Sequence, residues 1–209
     1  MALSASRFYA ILDTGYLPVA RFAEMGRAVL AGGAGIVQVR AKDATTAQRV
    51  AILKTLAPLC AAADAPLICN DDVEAALAVP GVGLHVGQDD LAPRAARAAL
   101  GPGRVLGLST HSLAQAQAAL LLGDVLEYFA VGPVFPTGTK PDYPAVGLEL
   151  VRAVAALAPP RPWFCIGGIN RENAAPVRAA GARAIVAVSA VLRAAEPEKM
   201  VRDLRTMMG

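Results

Sequence analysis

The stretch AGGAGIVQVRAKDATTAQ, residues 31–48, holds a glycine turn, a strand, a polar loop and a helix start in one short segment. GGAG (32–35) supplies the turn, and GIVQVR (35–40) is rich in the β-branched residues that strands favour. TTAQ (45–48) then sets Thr and Gln at capping-box spacing, ahead of a run with apolar residues at helical intervals. Turn, strand, loop and helix in that order make one parallel βα unit. The fold depends on how often the unit recurs.

It recurs along the whole chain. Strand candidates fall at 7–12 (RFYAIL), 35–40 (GIVQVR), 66–70 (PLICN), 82–86 (VGLHV), 104–108 (RVLGL), 126–131 (LEYFAV), 162–167 (PWFCIG) and 184–189 (AIVAVS). Helical spacing of apolar residues predicts helices near 19–31, 45–63, 72–78, 93–99, 112–122, 147–157, 172–180 and 191–206. SLAQ (112–115) repeats the capping-box signal, and Pro93 suits a first helical position. Eight such repeats predict an α/β fold, a single (βα)8 barrel over residues 1–209, with an open doubly wound sheet as the alternative. GGAG and GPGR (101–104) precede strands rather than follow them, so neither reads as a dinucleotide fingerprint.

Bulk properties narrow the function. The 209 residues are 55% hydrophobic and 18% charged, a composition that favours a large core over disorder. No apolar run reaches the roughly 18 residues that cross a bilayer, and MALSASRFYAILDTGY meets polar residues too early for a secretory signal. The expectation is a soluble, cytoplasmic protein without a membrane partner. Cys60, Cys69 and Cys165 lie far apart in apolar segments, matching neither a disulfide framework nor a C-x-x-C metal site, and read as buried thiols. A net charge of +3 with scattered arginines gives no nucleic-acid footprint, while a compact anionic ligand stays open.

Chemistry in a barrel of this kind sits at the carboxyl ends of the strands. After the second strand, Gln38, Arg40 and Lys42 alternate with Val37, Val39 and Ala41, which projects an amide and two cations to one side. The third strand ends in NDDVE and the fourth in GQDDL. Asp71 can cap the next helix with Glu74 at the capping-box position, and Asp90 can favour the helix after it. Together they also offer oxygen ligands suited to magnesium shared with substrate phosphates. LSTHS supplies Ser109, whereas His85 and His111 are too few for a zinc cluster and receive no catalytic role. Gly167, Gly168 and Ser189 follow the seventh and eighth strands, where barrels often bind phosphate, although the glycines also suit a tight turn. After the sixth strand, PTGTK brings Thr137, Gly138, Thr139 and Lys140, the last being one of only four lysines. No GxSxG or HExxH motif supports hydrolysis.

The segments QVRAKD, NDDVEAAL, LHVGQDDL, GLSTHS, YFAVGPVFPTGTKPD, IGGIN and AVSAV occur in an order and spacing that resemble the thiamine phosphate synthase family, from about residue 8 to beyond 190. The resemblance implies a (βα)8 barrel that joins hydroxymethylpyrimidine diphosphate to thiazole phosphate and releases pyrophosphate with magnesium. It further implies that Gln38, Arg40, Lys42 and Asn70 hold the pyrimidine diphosphate, completed by Ser109 and Lys140, and that Val39, Ala41, Gly138 and Gly167 also belong to the substrate-binding set. Asp71 and Asp90 would hold the magnesium. Thr137, Thr139, Gly168, Val188 and Ser189 would hold the thiazole phosphate, and Arg40, Lys42, Lys140 and Ser109 would carry catalysis. The extra acid in NDD and the AVPGVG turn depart from the family pattern without removing a required group. A thiazole tautomerase resembles the same barrel but lacks the T-x-T-K loop and the paired aspartates. A noncatalytic binder of thiamine precursors, and assembly into a homo-oligomer, stay open.

Overall fold

Strand β1 (Phe8–Asp13) is buried along its full length, and neither side of it is an edge: it pairs in parallel with β2 (Ile36–Arg40) and with β8 (Ile185–Ala187). The structure, a computed structural model, describes residues 3–138 and 144–209. Within them, β3 (Leu67–Asn70), β4 (Gly83–Val86), β5 (Leu106–Thr110), β6 (Tyr128–Val131) and β7 (Trp163–Cys165) complete a closed barrel in sequence order. The doubly wound alternative is thereby excluded.

Outside the barrel lie α1 (Phe22–Ala31), α2 (Thr46–Ala62), α3 (Val73–Leu77), α4 (Pro93–Leu100), α5 (Leu113–Leu121), α6 (Gly147–Ala156), α7 (Ala174–Ala179), α8 (Ser189–Leu192) and α9 (Pro197–Met208). Their starts follow the chemistry expected of them. Thr45 and Gln48 form the reciprocal capping box of α2, and Pro93 opens α4. Ser112 accepts from the Gln115 amide, but the Gln115 side chain turns to the His111 amide, so the second box is only half made. The helix expected over 191–206 is two helices. Pro197, which has no N–H to donate, starts α9 and separates it from α8. Thr45→Ala should lower stability by about 1 kcal/mol, measurable by urea unfolding, because the Gln48 amide loses its acceptor.

Alternation along the strands sends one set of side chains into the barrel and the other toward the helices. Tyr9 of β1, Tyr128 of β6 and Phe164 of β7 meet edge to face at 5.5–5.7 Å between ring centroids, a contact that β1, paired with neither β6 nor β7, makes across the barrel interior. Gly107 of β5 makes room: a Cβ there would lie 2.1 Å from the Tyr128 ring. This aromatic layer fills the barrel beneath its carboxyl end. The three cysteines are free and buried, and loss of hydration pushes the Cys60 and Cys69 thiols up to about 12.

Candidate active site at the carboxyl end of the barrel

Above the aromatic layer the barrel opens into a cleft lined by residues from several strand ends. On the β1–β2 side, register pairs Asp13 with Arg40, and the two form an ion pair of 2.7 Å. Asp13 is 1% exposed at its side chain and also accepts from the Gly15 amide, so it is fixed before Arg40 reaches it. Arg40 in turn lines the cleft. Gln38, one inward step below, is 1% exposed, and its Nε2 has no hydrogen-bond partner among the described residues. A buried amide donor left in this state is a group awaiting an acceptor from a ligand.

Lys42 does not continue the row of Gln38 and Arg40. Strand β2 ends at Arg40, and the chain turns, with the Ala44 amide on the Ala41 carbonyl. Lys42 instead borders an adjoining depression with Asn70, Asp71 and Asp72, and Asn70 is common to both spaces. Arg49 of α2 braces this region, donating to the carbonyls of Ala41 and Lys42 and to Asp72.

The two acids of NDD divide their tasks. Asp72, not Asp71, caps α3, accepting from the Ala75 amide at 2.8 Å, and it also takes Thr46 Oγ1 and Arg49. Partial burial opposes its ionisation, but the amide, the guanidinium and the hydroxyl outweigh that and hold the carboxyl below its ordinary value. Its contribution to folding is therefore complete above the usual carboxylate range and is lost as pH falls through the lowered value. Asp71, released from the cap, adopts φ 61°, accepts from Asn70 Nδ2 at 2.5 Å and borders the depression. Its amide donates to the His85 carbonyl, two residues before Gly87, whose own amide donates to the Asp90 carboxylate at 2.7 Å. Asp71 and Asp90 thus follow adjacent strands and carry hard oxygen donors of the kind that suits magnesium, but only Asp71 borders the depression, and Asp90 lines neither space. Among the described residues there is no cluster of three or more His, Cys, Asp or Glu that could form an all-protein cage.

Ser109 reaches the cleft from β5 and is bonded to His85 Nε2 at 2.9 Å, while Nδ1 of the same ring meets Tyr128 Oη at 2.9 Å and Tyr128 meets Tyr9 Oη at 2.8 Å. The opposite wall comes from β6 to β8: Thr137, Gly167, Gly168, Val188 and Ser189 all line it. Two backbone bonds, Val134 to the Ile166 carbonyl and Phe135 to that of Gly167, bind the loops after β6 and β7 together. Gly167 needs its φ of 105°, and a Cβ there would lie 2.4 Å from Pro133, so the tight-turn role of this glycine is real and coexists with its place in the cleft. Asn173 fastens the same turn through the Gly168 carbonyl.

Of the residues singled out from sequence, Gln38, Arg40, Asn70, Ser109, Thr137, Gly167, Gly168, Val188 and Ser189 share the cleft, and Ala41, Lys42 and Asp71 share the depression beside it. Val39 faces the core, Gly138 lies against the Tyr16 hydroxyl, and Thr139 and Lys140 fall outside the described residues. Asp13 and Arg49 were not anticipated, and His85, given no catalytic role from sequence, lines the cleft. Asp13 lies one residue past the expected end of β1, and His85 carries only the weak signal of a polar residue at an inward-facing strand position.

A closed parallel barrel whose carboxyl end gathers an arginine, amides, hydroxyls and glycine turns around one cleft has the form of a (βα)8 enzyme acting on phosphorylated compounds. Residues 8–191 match the model of the thiamine monophosphate synthase family, and the chain belongs to that family. It is 43% identical over 176 residues to the thiamine-phosphate synthase of Acidothermus cellulolyticus, covering 84% of this chain and 82% of that protein. With the thiamine-phosphate synthase of Streptomyces avermitilis it shares 46% over 181 residues, covering 87% and 84%. The solved structure of thiamine phosphate pyrophosphorylase from Pyrococcus furiosus superposes with a TM-score of 0.87 at 33% identity, covering 99% of this chain and 96% of that one.

Proposed function

We propose that this chain is a transferase that joins 4-amino-5-hydroxymethyl-2-methylpyrimidine diphosphate to thiazole phosphate and releases pyrophosphate, the reaction of thiamine phosphate synthesis. The observation that carries the reading is the two-sided cleft: Gln38, Arg40, Asn70 and Ser109 on one wall, Thr137, Gly167, Gly168 and Ser189 on the other. Two phosphorylated substrates can face each other across it. Family membership supports the same assignment.

The bond between the pyrimidine methylene carbon and the diphosphate oxygen breaks, and its electron pair leaves with the diphosphate. The lone pair of the thiazole nitrogen then forms the new bond to that carbon. No proton has to be removed for the bond exchange, so the site's work is to place two reactants and to stabilise a departing anion. Arg40, held by Asp13, presents its charge to the cleft without having to be oriented at the moment of reaction. Gln38 Nε2 donates to a ligand acceptor, and Lys42 adds a second cation at the adjoining depression. Asp71 and Asp90 would hold magnesium, which, when bound, neutralises charge on the diphosphate.

Release of pyrophosphate from the two purified substrates tests the reading. Turnover is expected with both substrates present and none with either alone. An isomerase would release nothing, and a noncatalytic binder would give heat by calorimetry without product. Lys140→Ala should lower turnover by ~100-fold, on the scale of losing one preorganised charge-stabilising group. Near-normal turnover would remove Lys140 from the groups that stabilise the departing diphosphate.

A further inference from the structure

We infer that Tyr9, Tyr128 and His85 form a directional hydrogen-bond chain that holds His85 as its neutral Nε2–H tautomer and presents the Ser109 hydroxyl to the cleft as a donor. Resting on the reaction proposed above, this assigns to Ser109 an acceptor atom of the pyrimidine diphosphate, a ring nitrogen or a diphosphate oxygen, rather than the N–H of its exocyclic amine.

The argument is a count of protons. Three contacts join four groups: Tyr9 Oη to Tyr128 Oη at 2.8 Å, Tyr128 Oη to His85 Nδ1 at 2.9 Å, and His85 Nε2 to Ser109 Oγ at 2.9 Å. A neutral chain carries one proton on each group, four in all, and each contact consumes one. The fourth must point away from the chain. At the Tyr9 end it would point into the apolar layer made with Phe164, where Tyr9 is 2% exposed and, among the described residues, its hydroxyl bonds Tyr128 alone. At Tyr128, also sealed in that layer, both polar contacts are already taken. A proton on both nitrogens of His85 would push the surplus toward Tyr9 in the same way. Ser109 and His85 both line the cleft, but the two ring nitrogens of His85 are engaged by Tyr128 and Ser109, so the hydroxyl of Ser109 is the outlet. The protons therefore run from Tyr9 to Tyr128, from Tyr128 to His85 Nδ1, and from His85 Nε2 to Ser109, whose own proton enters the cleft. Burial keeps both phenols protonated, which leaves the chain its full set.

The rest of the barrel is built around this chain. Gly107 leaves the space that the Tyr128 ring occupies, and the His85 ring stacks on Tyr128 with centroids 5.5 Å apart. The imidazole cannot turn over without losing both bonds. His85 is thus a positioning residue that acts through Ser109.

Nitrogen-15 NMR of the full-length, ligand-free protein tests this directly, since the chain has only two histidines. His111 serves as an internal contrast: its Nδ1 faces the Gly132 carbonyl at 2.5 Å and must carry a proton. His85 is expected to show an unprotonated Nδ1 and a protonated Nε2 at neutral pH, by at least ~10:1. Tyr128→Phe, which removes the donor to Nδ1, should collapse that ratio and lower kcat/KM for the pyrimidine diphosphate by roughly tenfold, with the KM for thiazole phosphate unchanged. Tyr9→Phe should leave the tautomer as it was, because the surplus proton still has no outlet in the core. A protonated Nδ1 on His85 in the unaltered protein, or an unchanged ratio in Tyr128→Phe, overturns the inference. The NMR result stands apart from catalysis: a chain that shows the tautomer but releases no pyrophosphate refutes the proposed reaction and not the proton order.

Discussion

Replacing Arg40 with methionine is expected to destabilise the folded chain by about 3–5 kcal/mol and to lower pyrophosphate release by ~100-fold or more. The two losses have different origins. Stability falls because Asp13, 1% exposed and 2.7 Å from the guanidinium, would be left as an uncompensated charge inside the protein. Turnover falls because the cleft loses a fixed cation. The double variant Asp13→Asn with Arg40→Met separates them. Asn keeps an oxygen for the Gly15 amide while removing the stranded charge, so most of the stability should return and the activity should not. Urea unfolding and pyrophosphate release measured on the same preparations provide the check. An Arg40→Met protein as stable as its parent would show that the pair does not hold this corner of the barrel together.

Stripping divalent ions with EDTA should reduce pyrophosphate release by roughly 1,000-fold, equivalent to ~4 kcal/mol of transition-state stabilisation, and added magnesium should restore it. The division of labour within NDD supplies the control. Asp71→Asn should raise the magnesium concentration needed for half-maximal rate, since Asp71 borders the depression while Asp72 makes the helix cap. Asp72→Asn should leave that requirement unaltered and cost about 1 kcal/mol of stability instead, because Asp72 holds the start of α3 and the Arg49 brace. Full activity in EDTA would remove the metal from the proposal, and an equal effect of the two substitutions on magnesium demand would remove Asp71 from its special place.

The barrel was legible because each strand announces itself locally. A run such as IVQV is β-branched at every position but Gln38, and it sits between a glycine turn and a helix signal, so no distant residue is needed to recognise it. The inward pointing of Gln38 and Arg40 was legible for the same reason. Alternation ceased to inform where the strand ceased, which is why Lys42 turned out to belong to a different space from its two predecessors. Asp71 and Asp72 could not be told apart by spacing, since either can open the following helix, and only the observed bonds assign the cap. Asp13 and His85 act through partners far off in sequence: His85 and Tyr128 are 43 residues apart, and only closure of the barrel makes them neighbours. Single-residue propensity carries no trace of such a meeting.

The ring-filled layer of Tyr9, Tyr128 and Phe164 turns the barrel into a vessel with a sealed base. Among the described residues the cleft opens at the rim above these rings, so reactants and products share that side of the barrel. Passage to and from the site is thus one-sided by construction, whatever bond is being made.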